Sequence, residues 1–286
     1  MIQEYQYDLT PASVAGKKVT FVKGPGQVQL QNPKLPTEFN EVAMKLFPVL
    51  KLLGLMNDGR GSQYNDQEFR LGTPQVSENE VVVPMGLTYR GARAADINRS
   101  EAANMELQCL GVSELHDRWG YFSRAIGVAI TPITADGVVP LNVRNAKLYN
   151  GWVNGVAKAT EYTGEEPSVK LFESQALAEL YRENGKVTLE GTPRFVGIAS
   201  SAVRGDADAV WVVHIKEDSS FFKSGEYLKT RTDADVPPEL LYVKGVGERD
   251  ELLLEQKLQG REFPGIMYST RLGLEFLTET DLQDRR

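Results

Sequence analysis

Apolar residues along this chain recur with two spacings, alternating in some stretches and helical in others, and the changes between them mark out its elements. Short alternating runs at 17–23 and 27–31 flank Gly24-Pro25-Gly26 and predict a hairpin whose turn uses the glycines. From Thr37, a residue type suited to an N-cap, Phe39, Val42, Leu46, Phe47, Leu50 and Leu53 repeat at helical spacing until Gly54. Pro48 is expected to kink or split that helix. The polar, glycine-rich stretch 57–73 reads as a loop, 81–89 as a buried strand, and Ser100 as the cap of a short helix reaching Cys109.

A second α/β unit begins around 111–119. Alternation over 125–133 and 138–144, joined by Thr134-Ala135-Asp136-Gly137, predicts a hairpin. The stretch 145–170 is expected to be a loop. It leads into an amphipathic helix at 171–184 with Leu171, Leu177, Leu180 and Tyr181 on its apolar side and Gly185 as terminator. Strands at 194–203 and 209–215 flank Arg204-Gly205-Asp206-Ala207-Asp208, a turn rather than an adhesion motif, and helices follow at 250–259 and 268–277. The pattern is that of an α/β chain with an α+β extension at 1–115 and an α/β domain at 116–286. The apolar sequence in the extension exceeds what a minimal core needs, so it is expected to cover the site or to support a homodimer.

Composition narrows the function classes. An apolar fraction of 41% with 25% charged residues is globular, and no run reaches the ~20 apolar residues of a membrane span. Glu4 and Asp8 near the start, without an apolar core, do not read as a secretory signal, so a cytoplasmic location is expected. A net charge of −7 disfavours nucleic acid as a partner. With one cysteine, Cys109, and two histidines, His116 and His214, no zinc cluster is available, and any metal should be a hard ion held by oxygen, Mg2+ or Mn2+. Cys109 reads as a small core residue, and His214, inside an apolar run, as a hydrogen-bonded structural histidine.

The candidate chemistry lies on the helix before Gly185. Glu179 and Glu183 are four residues apart, which puts both carboxylates on one helical face where a divalent ion can bridge them. Ala178-Glu179-Leu180-Tyr181-Arg182-Glu183-Asn184-Gly185, preceded by a hairpin and followed by an apolar strand, resembles the Nudix hydrolase box, G-x5-E-x7-R-E-U-x-E-E-x-G-U with U apolar. Glu179, Leu180, Glu183 and Gly185 match, whereas Ala178 replaces the box arginine and Arg182 replaces an acidic position. Gly155 is aligned with the loop glycine and Glu165 with the loop glutamate, at the cost of insertions, and Gly86-Leu87-Thr88-Tyr89-Arg90 resembles the strand before the core of longer members.

The resemblance implies a Nudix-like α/β/α sandwich with a mixed sheet, and a divalent-metal hydrolase of a nucleoside diphosphate linked to another group. In that reading Glu179 and Glu183 hold the metal, Glu165 or Glu166 acts as loop base, Arg182 and Gly155 contact the substrate, and Trp152 stacks on its ring. Exchanging a carboxylate for the Arg182 guanidinium changes the local charge by two units and opposes metal binding unless Arg182 points away. The alternative is a noncatalytic nucleotide-binding or regulatory protein on the same fold. A divergent biosynthetic enzyme is a third reading.

Overall fold

The computed structural model describes residues 5–24, 67–144, 151–224, 227 and 239–285. The expected helix at 37–54 and the second arm of the first hairpin, 27–31, lie outside the described residues. The centre is a five-stranded sheet of β1 (Tyr5–Leu9), β10 (Leu189–Ser201), β11 (Ala207–Ile215), β6 (Ile126–Ile133) and β9 (Val156–Ala159), in that order. β11 and β6 run parallel and the other pairs antiparallel, so the sheet is mixed.

The period of two along the central strands sends side chains to opposite faces. Ile126, Val128 and Ile130 of β6, with Ala209, Trp211 and Val213 of β11, enter one apolar cluster. Ala129, Ile133, Val210 and Val212 enter another on the reverse face. A helix covers each. On the first face α4 (Val169–Asn184) contributes Phe172, Ala176 and Leu180, and on the second α6 (Tyr268–Phe276) contributes Leu272 and Leu274. Burial on both faces explains why Trp211-Val212-Val213 is a continuous apolar run.

α4 lies under a second sheet as well. β2 (Lys18–Lys23), β5 (Glu80–Tyr89) and β3 (Gln67–Leu71) form it, with the short β4 (Gln75–Val76) on β5. Phe21 and Phe69 from this sheet meet Phe172 at ring-centroid distances of 4.9 and 5.0 Å. Side chains from both sides of position 115 therefore occupy one cluster, and β1 is hydrogen-bonded into the central sheet. The short helix α1 (Pro11–Val14) packs on β10 and β5, and α2 (Arg90–Asn98) and α3 (Glu101–Leu110) follow β5, the last capped by Ser100, which accepts from Ala103 N–H at 3.3 Å. β7 (Val138–Val143) joins β8 (Val153–Asn154) and β12 (Glu239–Lys244) in a three-stranded sheet. Helix α5 (Gly245–Glu255) and the short pair β13 (Lys257–Leu258) and β14 (Arg261–Glu262) follow. Among the described residues no helix is long and apolar enough to cross a membrane.

Several expectations need correction. β2 pairs in parallel with β5 over Lys18–Lys23, a long-range pairing that its local alternation did not suggest. Residues 67–71 are strand β3, where a loop was expected, and Arg90 starts a helix. The Thr134–Gly137 turn forms, with Thr134 N–H on Val138 O at 2.9 Å, but β7 does not continue as the partner of β6 because β11 and β9 already occupy both edges of β6. The expected loop at 145–170 contains β8 and β9. On α4 the buried stripe is Phe172, Ala176, Glu179, Leu180 and Asn184, and Tyr181 is exposed. Cys109 is exposed too, since α3 turns Asn104, Leu107 and Gln108 inward.

Candidate functional site

Ser168 opens α4 by accepting from Leu171 N–H at 3.1 Å, and Gly185 ends it at φ 73°. Near the end of this helix Glu179 is 2% exposed, so its charge requires a partner. Arg182, one turn on, supplies it. Its Nε donates to Glu179 Oε2 at 2.8 Å and its Nη2 to Glu179 Oε1, the two-point contact for which the planar guanidinium is shaped. Nη2 also lies 3.7 Å from Glu183 Oε1, and Asn142 Nδ2 of β7 donates to Glu183 Oε2 at 3.5 Å.

This arrangement does not fit a divalent ion on Glu179 and Glu183. A metal needs the carboxylate oxygens that Arg182 occupies, and it would sit beside a fixed positive charge. No third acidic, histidine or cysteine ligand completes a set around them among the described residues.

The other predicted site residues are elsewhere. Glu165 is exposed and accepts from Thr163 Oγ1 at 2.6 Å, while Glu166 is paired with Lys23 of β2. Gly155 is buried at the β8–β9 junction, with its N–H donated to Thr270 Oγ1 of α6 at 2.7 Å, so it is part of a strand connection and not of a phosphate loop. His214 is structural, with Nε2 3.2 Å from Asp281 Oδ1.

Trp152 alone of the predicted set lines a cavity of about 510 Å³, together with Tyr5, Arg99, Arg204, Tyr268 and Arg271. From the turn between β10 and β11, Val203 and Arg204 line it. Asp206, 5% exposed, accepts from Arg204 Nε at 3.0 Å and from Tyr268 OH at 2.9 Å. Burial raises the cost of charging Asp206, but the Arg204 and Arg93 guanidinia outweigh it and hold its carboxyl below the usual range. Its neighbour Asp208 differs. Burial pushes it up to about 6, offset only in part by Ser269 and Arg93. The Asp208 carboxylate lies against Gly127 of β6, where an added Cβ would come within 2.2 Å of Oδ1, so the strand pair tolerates this buried acid only beside glycine. Burial and the two carboxylates push the Tyr268 phenol well above 10, which keeps it a proton donor to Asp206.

The three cavity arginines share no motif. They come from the end of α2, the β10–β11 turn and the middle of α6, and of these only the turn is legible in the sequence. The one local signal was an arginine next to an aspartate two residues on, which the turn reading absorbed. Neither a family model nor a curated protein matches this chain.

Proposed function

We propose that this chain is a noncatalytic ligand-binding or regulatory protein on a Nudix-like α/β/α core, taking a small nucleotide or diphosphate ligand without a metal. The observation that carries the reading is the two-point contact of Arg182 with the buried Glu179. In place of an ion bridging two carboxylates, the helix has an internal ion pair.

The arrangement of α4 and α6 on opposite faces of a mixed sheet is consistent with that core. Laid on the chain without insertions, the family box puts its first glycine on Gly164, its loop glutamate on Lys170, its arginine on Ala178 and an acidic position on Arg182. Glu179, Glu183 and Gly185 keep their matches. This register replaces the one through Gly155 and Glu165, and it sets two cations where the box has acids, each a change of two charge units against a metal.

The hydrolase reading with Mg2+ or Mn2+ requires Arg182 to leave Glu179. It is tested by assaying the purified chain on a panel of nucleoside diphosphates linked to sugars, nucleosides and further phosphate, with each metal. No turnover above the metal-free background is expected. Metal-dependent turnover that disappears in Glu183→Gln would restore the enzyme.

A further inference from the structure

We infer that the cavity between α2, the β10–β11 turn, Trp152 and the start of α6 is a binding site for a planar aromatic ring carrying an oxyanion, a phosphate or a carboxylate. The inference rests on the ligand-binding half of the reading above and is independent of the fate of the helix carboxylates. At about 510 Å³ the cavity is in the size range of small-molecule sites.

The lining divides into two kinds of surface. Trp152 and Tyr5 provide aromatic faces, and the Trp152 indole lies flat on Gly265, where an added Cβ would come within 2.6 Å of the ring. That close seat fixes the orientation of the indole, as a stacking platform requires. Arg99, Arg204 and Arg271 provide the cationic surface, with Glu101 as the opposing charge in the lining.

Each of these arginines is held by a carboxylate that does not itself line the cavity. Arg99, with its side chain 6% exposed, is 3.1 Å from Asp96 Oδ1 and donates to Asn104 Oδ1 at 2.8 Å. Arg204 is held by Asp206. Arg271 is 3.0 Å from Glu275 and donates to Leu253 O at 3.1 Å, with its guanidinium 5.1 Å from the centre of the Tyr5 ring. A guanidinium carries five N–H donors, more than the two acceptors that hold each of Arg99 and Arg271, so these two present donors to an anion without paying the entropy of ordering them. Ring and anion are therefore recognised by different groups across one space.

The test is calorimetric titration of the full chain in buffer containing EDTA, with adenosine 5′-monophosphate and 4-hydroxybenzoate as ring-bearing anions, and adenosine and inorganic phosphate as the separate halves. Saturable binding of one ring-bearing anion per chain is expected, with each half at least ~10-fold weaker. Trp152→Leu and Arg271→Gln are each expected to weaken it roughly tenfold or more, and Trp152→Phe to recover most of the first loss. Tighter binding of the nucleotide assigns phosphate, and tighter binding of 4-hydroxybenzoate assigns a carboxylate. The inference is overturned if neither anion binds at millimolar concentration, if adenosine binds as well as its monophosphate, or if binding survives both substitutions in folded protein. Metal-dependent turnover together with EDTA-resistant binding would remove the noncatalytic reading and leave the cavity assignment standing.

Discussion

Arg182→Ala is expected to cost about 3 kcal/mol of stability, read as a lower urea midpoint at unchanged denaturant slope. The cost comes from Glu179, which stays 2% exposed with no cation to offset its desolvation. The figure is at the low end for breaking a buried pair because the Arg182 side chain is 32% exposed and keeps some of its own hydration. Replacing both partners, Glu179→Leu with Arg182→Ala, removes the buried charge and should recover most of the loss. A pair that contributed only as surface ion pairs do would change stability by less than about 1 kcal/mol, and the single and double variants would then be indistinguishable.

Phe172→Ala should cost more, about 3–5 kcal/mol, as expected when a fully buried aromatic leaves a cavity. Phe172 is 0% exposed, and its ring touches Phe21 of β2 and Phe69 of β3 on one side while α4 packs on β6 and β9 on the other. Its removal weakens both sheets at once. The variant should therefore unfold in a single transition at lower denaturant, with amide protection lost together in β5 and β11. Truncating Leu254, which is 82% exposed, should change little. Two separated transitions in Phe172→Ala would mean that the sheet of β2, β5 and β3 folds independently of the central sheet.

Much of the fold was legible because it is encoded locally. Ser100, Gly185 and the Thr134–Gly137 turn each act within a few residues, so caps and turns could be read from neighbouring sequence. β11 declares itself through an apolar run that only a doubly covered strand accommodates. Pairing was less accessible. β9 is the short sequence Val156-Ala157-Lys158-Ala159, with little strand signal of its own, yet it occupies the edge of β6 that the reading assigned to β7. The parallel register of β2 on β5 joins residues some sixty positions apart, and no local pattern encodes such a crossover.

The site divides along the same line. Spacing identified Glu179, Arg182 and Glu183 as neighbours and posed the deciding question, whether the guanidinium faces the acids, but an i, i+3 pair is compatible with either answer. Burial of Glu179 resolves it, because a buried carboxylate on the inner stripe of α4 draws in the nearest cation. Trp152 was recognisable as a candidate platform, whereas Arg99, Arg204 and Arg271 come together only through the tertiary packing of three elements.

The most direct test of the account is manganese titration of the metal-free protein, followed by electron paramagnetic resonance of the free ion, with Arg182→Glu alongside. The account predicts no binding by the wild-type chain below millimolar Mn2+, and measurable binding by Arg182→Glu, in which a third carboxylate replaces the guanidinium. Submillimolar binding by the wild type that is abolished in Glu183→Gln would contradict it.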